Sequence, residues 1–408
     1  MIWANFFHIY QPPSWPKEII KKVTEESYRP IIKILKNNPQ IKITLNICAS
    51  LTEQLVEYNF KDVVNDLILL ANKGQIEFTG SAKYHTILPL LPEEEILRQL
   101  NLNNEVNKKY LGEVYKPTGF FSPEMCYSEK LSVILKKLGF KWIILDEISY
   151  SGKVRAINFD KKYYLKNGLE VLFRNRNISD YIAFSAPADN PADFDRVIKK
   201  ERRSREILIT AMDGENMGHH RPKTDKLWEK IVTNPKIKTL TCSELLEYYK
   251  NKEMVKPLAS SWSSQEDELK NGVAYNLWSD QNNEIHQKQW QLTYFIIKLV
   301  KKIKDKDPNY QQIRNALDMA LASDQYWWAS ANPWWSLEII KNETKELLTV
   351  IKDAKCVLKS EKEKAKELAD QIVEKAENWQ KTGQAQFVST KYLKKTHLIR
   401  YMGGERIK

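Results

Sequence analysis

The sequence predicts an α/β fold: a barrel of alternating strands and helices, followed by a helical region. Three observations carry that prediction. Over about the first 250 residues, short β-rich runs alternate with segments of helical period, and strands that alternate with helices imply a parallel sheet. Seven or eight such units favour a closed barrel over an open sheet. Residues able to do chemistry stand where strand after strand ends. Past residue 255 the β-rich runs stop and long segments rich in Lys, Glu, Leu and Ala begin.

The expected strands are Ile2–Phe7, Ile41–Ile47, Gln75–Thr79, Thr118–Phe121, Trp142–Leu145, Val171–Phe173, Glu206–Thr210 and Ile237–Leu240. Helical periodicity marks Glu18–Lys36, Leu51–Asn72, Glu93–Lys109 and Ser128–Leu138 between them. Pro92 and the three glutamates after it suit a helix start, where carboxylates meet the positive end of the dipole. Tyr163–Phe184 reads as a hairpin-like elaboration with an Asn-Gly turn. Beyond the barrel, Trp290–Ile303, Tyr310–Leu321 and a long stretch from Leu337 to Lys381 read as helical. The expected organisation is therefore a catalytic barrel over 1–255, a helical domain over 256–385, and a basic tail or small terminal hairpin over 386–408.

Composition narrows the function. The 64 basic and 52 acidic residues leave a net charge of +12, but the lysines are spread along the chain and no nucleic-acid-binding motif accompanies them. A solvated lysine-rich surface is expected, with no nucleic-acid partner. No apolar run approaches the ~20 residues of a membrane span, so no membrane partner is expected. The N-terminus lacks a basic segment and a small-residue cleavage site, and Cys48, Cys126, Cys242 and Cys356 are far apart with no CxxC. Reduced thiols in a cytoplasmic protein follow as the expectation. The 12 Trp and 19 Tyr fit either a large aromatic core or sugar subsites, because sugar C–H faces stack on aromatic rings.

The strand ends are the informative places. His8 follows the first strand, Asn46 lies near the end of the second, and Glu77 lies in the third with His85 beyond it. Glu124 follows the fourth, Asp146 and Glu147 the fifth, Arg174 the sixth and Asp213 the seventh. In parallel α/β barrels the active site lies at the C-terminal ends of the strands. In GFFSPEMCYS, Glu124 follows a proline at a strand-to-helix junction. In ILITAMDGENMGHHRP, an apolar strand runs into Asp213, Glu215, His219 and His220, with Gly214 and Gly218 permitting tight turns. That cluster reads as a solvated loop, a metal site or an acid/base site. Two carboxylates from different strands are the minimum equipment for glycoside chemistry, one attacking the anomeric carbon or activating water, the other protonating the leaving oxygen. Gln11 beside His8 and the Pro-Pro turn could meet a sugar hydroxyl, as could His85. Asp324 with Trp327 or Trp328 could line the same pocket or could pack helices.

These residues resemble glycoside hydrolase family 57. HIYQP (His8–Pro12) resembles that family's first motif, GQIEFTG (Gly74–Gly80) its second, FFSPE (Phe120–Glu124) its third, MDGENMGHH (Met212–His220) its fourth, and SDQYWW (Ser323–Trp328) its fifth. The resemblance implies a (β/α)7 barrel followed by a helical bundle that helps close the site. It implies a two-step retaining mechanism without metal or other cofactor, with Glu124 as nucleophile and Asp213 as acid/base. His8, Gln11, Glu77, His85, Glu215, His219, Asp324, Trp327 and Trp328 would then bind substrate. Tyr10 stands where some members have a second His, and Phe-Ser precedes Pro-Glu where Trp-containing versions are common, which bears on subsite shape. The compact length leads to the expectation of an α-amylase-like activity on α-glucan, with glucanotransferase chemistry open. Two alternatives stand beside it: a metal-dependent polysaccharide deacetylase using Asp213, His219 and His220, and a non-catalytic glycan-binding protein on the same scaffold.

Overall fold

The computed structural model describes residues 1–186, 196–200 and 206–396. The chain divides into two compact units, Met1–Lys270 and Asn271–Lys408. The first extends past the expected boundary at residue 255 because the following segment is tied to it. Leu258 N donates to Ser149 O at 2.7 Å and Tyr127 pairs with Ser260.

The strands of the first unit are β1 (Ile2–Ile9), β2 (Ile43–Ile47), β3 (Ile76–Phe78), β4 (Gly119–Phe120), β5 (Trp142–Asp146), β6 (Lys162–Tyr164), β7 (Glu170–Arg174), β8 (Ile207–Asp213), β9 (Lys238–Leu240) and β10 (Lys252–Met254). One sheet runs β3-β2-β1-β8 with β9 on the lower part of β1, and the other runs β10-β6-β7-β5-β4. Two seams join them into a ring. At one, Gly80 N donates to Gly119 O and Phe121 N to Gly80 O, each at 2.9 Å. At the other, Asn175 N donates to Ile209 O at 2.8 Å. The parallel strands β1, β2, β3, β4, β5, β7 and β8 thus form a (β/α)7 barrel. The expected hairpin about Asn167-Gly168 is present, with β6 antiparallel to β7, but it gives way to a helix at Arg176–Asp180.

Alternation along the strands separates two environments. Trp3, Phe7, Ile9, Ile43, Leu45, Ile47, Ile76, Phe78, Leu208 and Met212 pack against the surrounding helices. Their neighbours, including Phe6, His8, Thr44, Asn46, Glu77, Ala211 and Asp213, face the barrel interior. Register sorts these into layers: Phe6 with Thr44, Glu77 and Ala211, and one layer higher His8 with Asn46 and Asp213.

The lower end is plugged by the helix Cys242–Tyr248, whose capping box joins Thr241 and Glu244. Cys242 N donates to Thr44 Oγ1 at 2.8 Å and Ser243 N to Glu77 Oε2 at 3.1 Å. The half-buried Glu77 carboxylate there meets the positive end of the helix and satisfies an orphan N–H group.

Three helical expectations needed correction. Leu51–Asn72 is two helices, Ala49–Glu57 and Lys61–Asn72, because Asn59 takes a left-handed φ of 68° and ends the first. Glu18–Lys36 contains a π-helical turn at Thr24–Tyr28. In the second unit, the stretch from Leu337 to Lys381 is Leu337–Thr349 and Lys359–Thr382, separated where Asp307 Oδ2 accepts Cys356 N at 2.7 Å. The second unit packs Leu292, Ile296, Leu299 and Val300 of the helix Glu284–Lys302 with Ile340 and Leu347, and with Ala365, Leu368, Ile372 and Ala376. The expected tail or hairpin from residue 386 is instead part of a helix, Gln384–Thr396, burying Ala385, Ser389 and Tyr392 at i, i+4, i+7. Residues 397–408 of that expected segment lie outside the described residues.

Candidate active site

The upper interior layer holds a directed hydrogen-bond chain. Asn46 Nδ2 donates to Thr79 Oγ1 at 3.0 Å, leaving Asn46 Oδ1 to accept from His8 Nδ1 at 2.7 Å. A carbonyl oxygen only accepts, so the His8 proton sits on Nδ1 and its Nε2 lone pair takes His85 Nε2–H at 3.1 Å. Burial keeps both rings neutral: His8 is pushed down to about 4 and His85 well below the ordinary imidazole range. The imidazoles stack with Phe121 and Tyr10, at 4.6 Å for His8–Phe121 and 4.2 Å for Tyr10–His85.

His85 leads to Glu124. Its Nε2 lies 3.9 Å from Glu124 Oε1. Glu124 has φ 59° and Met125 φ 49°, in the one-turn 3₁₀ segment Pro123–Met125, and His85 has φ 55°. Left-handed backbone at a non-glycine residue costs about 1–2 kcal/mol, so three such residues around one carboxylate mark a place whose geometry the surroundings enforce. Trp262 supplies part of that enforcement: its indole N–H donates to Glu124 Oε2 at 2.7 Å and its backbone N–H to Glu124 O at 3.1 Å.

Asp213 is the last residue of β8 and the register partner of His8. It is partly accessible, and burial pushes its carboxyl up to about 7, helped by the Glu215 charge and opposed by the Arg174 guanidinium. Glu215 itself is buried and accepts Tyr28 Oη at 2.6 Å, Gln11 Nε2 at 3.1 Å and Tyr10 N at 3.2 Å. Burial raises the Glu215 carboxyl, while these donors favour its charged form. The π-helical turn aims this support: Ser27 Oγ donates to Gly214 O at 2.7 Å, and Glu26 Oε2 pairs with His219 Nδ1 at 2.6 Å. The chain passes so close here that a Cβ on Gly218, whose φ is 116°, would sit 2.1 Å from Glu26 O.

Beneath the mouth lies a buried ion cluster. Asp146 Oδ2 accepts Arg174 Nε at 2.7 Å and Asp146 Oδ1 accepts Arg176 Nε at 2.9 Å. Glu147 accepts the backbone N–H groups of Arg155 and Arg176 at 2.7 and 2.9 Å.

Of the residues singled out in the sequence, His8, His85, Glu124, Asp213, Gln11 and Glu215 gather at the upper end of the barrel. Gln11 and Glu215 face each other, which makes them support for Asp213 as much as ligands. Glu77 does not join them. It sits one layer lower, held by Thr44 Oγ1, Ser243 N and Ser243 Oγ in the helix plug. His219 turns toward Glu26. Asp324, Trp327 and Trp328 form a short helix of the second unit, where the indoles of Trp327 and Trp334 lie 4.9 Å apart. Trp262 and Tyr28 were not foreseen. Trp262 lies in a serine-rich loop, SSWSS, which carries a weak signal; Tyr28 stands mid-helix and reaches Glu215 only through the π turn. Among the described residues no group of three or more His, Cys, Asp or Glu could hold a metal ion, so the ligand set Asp213, His219 and His220 is not assembled. No helix among them is long and apolar enough to cross a membrane.

The chain resembles an α-amylase of Pyrococcus horikoshii, 27% identical over 272 residues, covering 64% of this chain and 42% of that protein. It resembles a 4-alpha-glucanotransferase of Thermococcus litoralis at 24% identity, covering 64% of this chain and 40% of that one. It therefore spans about two fifths of the length of these relatives. In structure it is similar to a GH57-type branching enzyme from Pyrococcus horikoshii, with a TM-score of 0.68 and 18% identity over 90% of this chain and 94% of that one. The Glycosyl hydrolase family 57 model matches residues 4–257, more than half of the chain, and the protein belongs to that family.

Proposed function

We propose that this protein is a retaining glycosidase on α-glucan, hydrolysing the chain or transferring it to a sugar acceptor. Glu124 acts as nucleophile and Asp213 as general acid/base. The observation that carries the reading is the pair of unlike carboxyl environments at one barrel mouth. Asp213 is desolvated beside a like charge, with its carboxyl raised to about 7, which suits a group that must hold a proton and release it near neutrality. Glu124 accepts the Trp262 indole N–H on one oxygen and has the other turned toward His85, which suits a group aimed at carbon. The names of the α-amylase and glucanotransferase relatives support α-glucan as the substrate class.

In the first step a Glu124 oxygen attacks the anomeric carbon, the glycosidic C–O bond breaks, and the Asp213 proton passes to the departing oxygen. In the second, Asp213 takes a proton from water or a sugar hydroxyl, whose oxygen attacks the same carbon and frees Glu124. The neutral His8–His85 pair, whose N–H groups are taken by Asn46 and His8, offers ring faces to the sugar without adding charge. Incubation with maltooligosaccharides tests the reading. Shorter products alone mean hydrolysis, and a ladder of longer ones means transfer. Glu124→Gln and Asp213→Asn should each abolish either outcome while the far-UV and near-UV circular dichroism stay native. Near-normal turnover in either variant contradicts the assignment.

A further inference from the structure

Arg174 ends β7 and is only 5% exposed. Its position is over-determined. Nε donates to Asp146 Oδ2 at 2.7 Å, and Nη2 pairs with Asp180 Oδ1 at 3.2 Å. The same guanidinium reaches both halves of the candidate active site. Nη1 donates to Ala211 O at 2.9 Å, on β8 two residues before Asp213. Nη2 donates to Trp262 O at 3.4 Å, and the guanidinium carbon lies 5.3 Å from the Trp262 ring centroid. Trp262 in turn gives Glu124 two hydrogen bonds, one from its indole and one from its backbone. A planar cation with a fixed fork of donors can serve all these partners at once; an ammonium cannot.

We propose that Arg174 is a positioning residue shared by both carboxylates: it seats Trp262 against Glu124 and fixes the strand end that carries Asp213. This rests on the reading of Glu124 and Asp213 as nucleophile and acid/base. Asp146 is the anchor that orients the guanidinium, with Arg176 on its other oxygen. The cation also acts on Asp213 through space. Among the described residues, the charged groups that face Asp213 are Arg174 from β7 and Glu215 from its own segment, and its titratable neighbours are Tyr28 from the π turn and His8 from β1. Arg174 is the one cation in this set, and its charge favours the Asp213 carboxylate.

The test is the pH dependence of kcat and kcat/KM on maltooligosaccharides for Arg174→Gln, Arg174→Lys and Asp146→Asn, beside Glu124→Gln and Asp213→Asn. Asp213 must be protonated to act as acid, so its ionisation sets the alkaline limb of kcat/KM. Arg174→Gln removes the opposing charge and should move that limb up by about one pH unit. It should also lower kcat about 100-fold through loss of alignment, with KM changed by no more than about threefold. Arg174→Lys should return the limb to its original place and recover kcat only in part. Asp146→Asn leaves the cation with less compensation and should move the limb the opposite way, to lower pH. A purely structural role produces no such opposition of sign. Limbs that stay put in folded Arg174→Gln and Asp146→Asn, or that move together, overturn the proposal. If Arg174→Gln does not fold, full kcat in Arg174→Lys, or an Asp146→Asn limb that fails to fall, overturns it. If Glu124→Gln or Asp213→Asn turns over normally, the functional reading fails and the role of Arg174 with it. If both are inactive while the limbs do not move, only Arg174's role fails.

Discussion

Glu215→Gln is the most informative single substitution, because it changes one charge next to Asp213 and keeps the side chain's shape. Glu215 is among the groups that raise the Asp213 carboxyl to about 7. Replacing the carboxylate by a neutral amide removes that like charge, so the Asp213 pKa falls; a drop of about one unit is expected for a neighbour at this range. At pH 7 the protonated fraction of Asp213 would then go from about one half to about one tenth, and kcat/KM should fall about fivefold from this cause alone. The alkaline limb of the free-enzyme profile should move to lower pH by the same unit. Stability changes too. The oxygen that accepts Tyr28 Oη, Gln11 Nε2 and Tyr10 N is Oε1, so an amide keeps these donors only with its oxygen on that side, and its NH2 then needs a new acceptor. A loss of about 1–3 kcal/mol is expected for the weakened bonds. The assay is initial-rate kinetics on a maltooligosaccharide from pH 5 to about 9, with urea unfolding of the same preparations. An alkaline limb that stays fixed, or moves upward, refutes the electrostatic assignment of Asp213.

Two further outcomes follow from the same geometry. Glu77→Gln removes the carboxylate that caps Ser243 N–H at the barrel floor, so the melting temperature should fall while kcat/KM stays within about twofold. A large kinetic loss without thermal destabilisation would return Glu77 to the site. His8 is held neutral in the fold, its pKa lowered from 6.5 to about 4, so the unfolded chain binds the extra proton first as pH falls. Its contribution is therefore complete above about pH 6.5 and is lost as pH drops toward 4, a swing of about 3 kcal/mol. Urea unfolding of wild type and His8→Gln between pH 7 and 4 checks this: the wild type should lose more stability over that interval, and equal slopes contradict it.

Much of this was legible in the residues. The strand and helix alternation marks the strand ends at which His8, Asn46, Glu124, Asp146, Arg174 and Asp213 stand. The misreadings have physical causes. Glu77 and His8 both point inward, but Glu77 stands one layer lower, and a strand's alternation tells face without telling depth. Asn59 stops a helix by entering the left-handed region, a choice its neighbours do not announce. Residues 384–396 look β-like from Phe387, Val388 and Tyr392, yet Ala385, Ser389 and Tyr392 align as one buried helical face. The support shell was the least visible part. Tyr28 meets Glu215 because a π turn rotates one helix, and Trp262 meets Glu124 across 138 positions of chain. Local sequence encodes neither contact.

The central claim, that Glu124 is a nucleophile served by Asp213, has a direct test. Asp213→Asn is incubated with an α-maltosyl fluoride, whose leaving group needs little acid assistance, then quenched and digested for mass spectrometry. A covalent maltosyl adduct is expected on the peptide containing Glu124, formed as fluoride departs and accumulating because no base remains to activate water. The same treatment of the Glu124→Gln, Asp213→Asn double variant should leave that peptide unmodified. An adduct on another residue, or no adduct while the fluoride is still consumed enzymatically, would contradict the account.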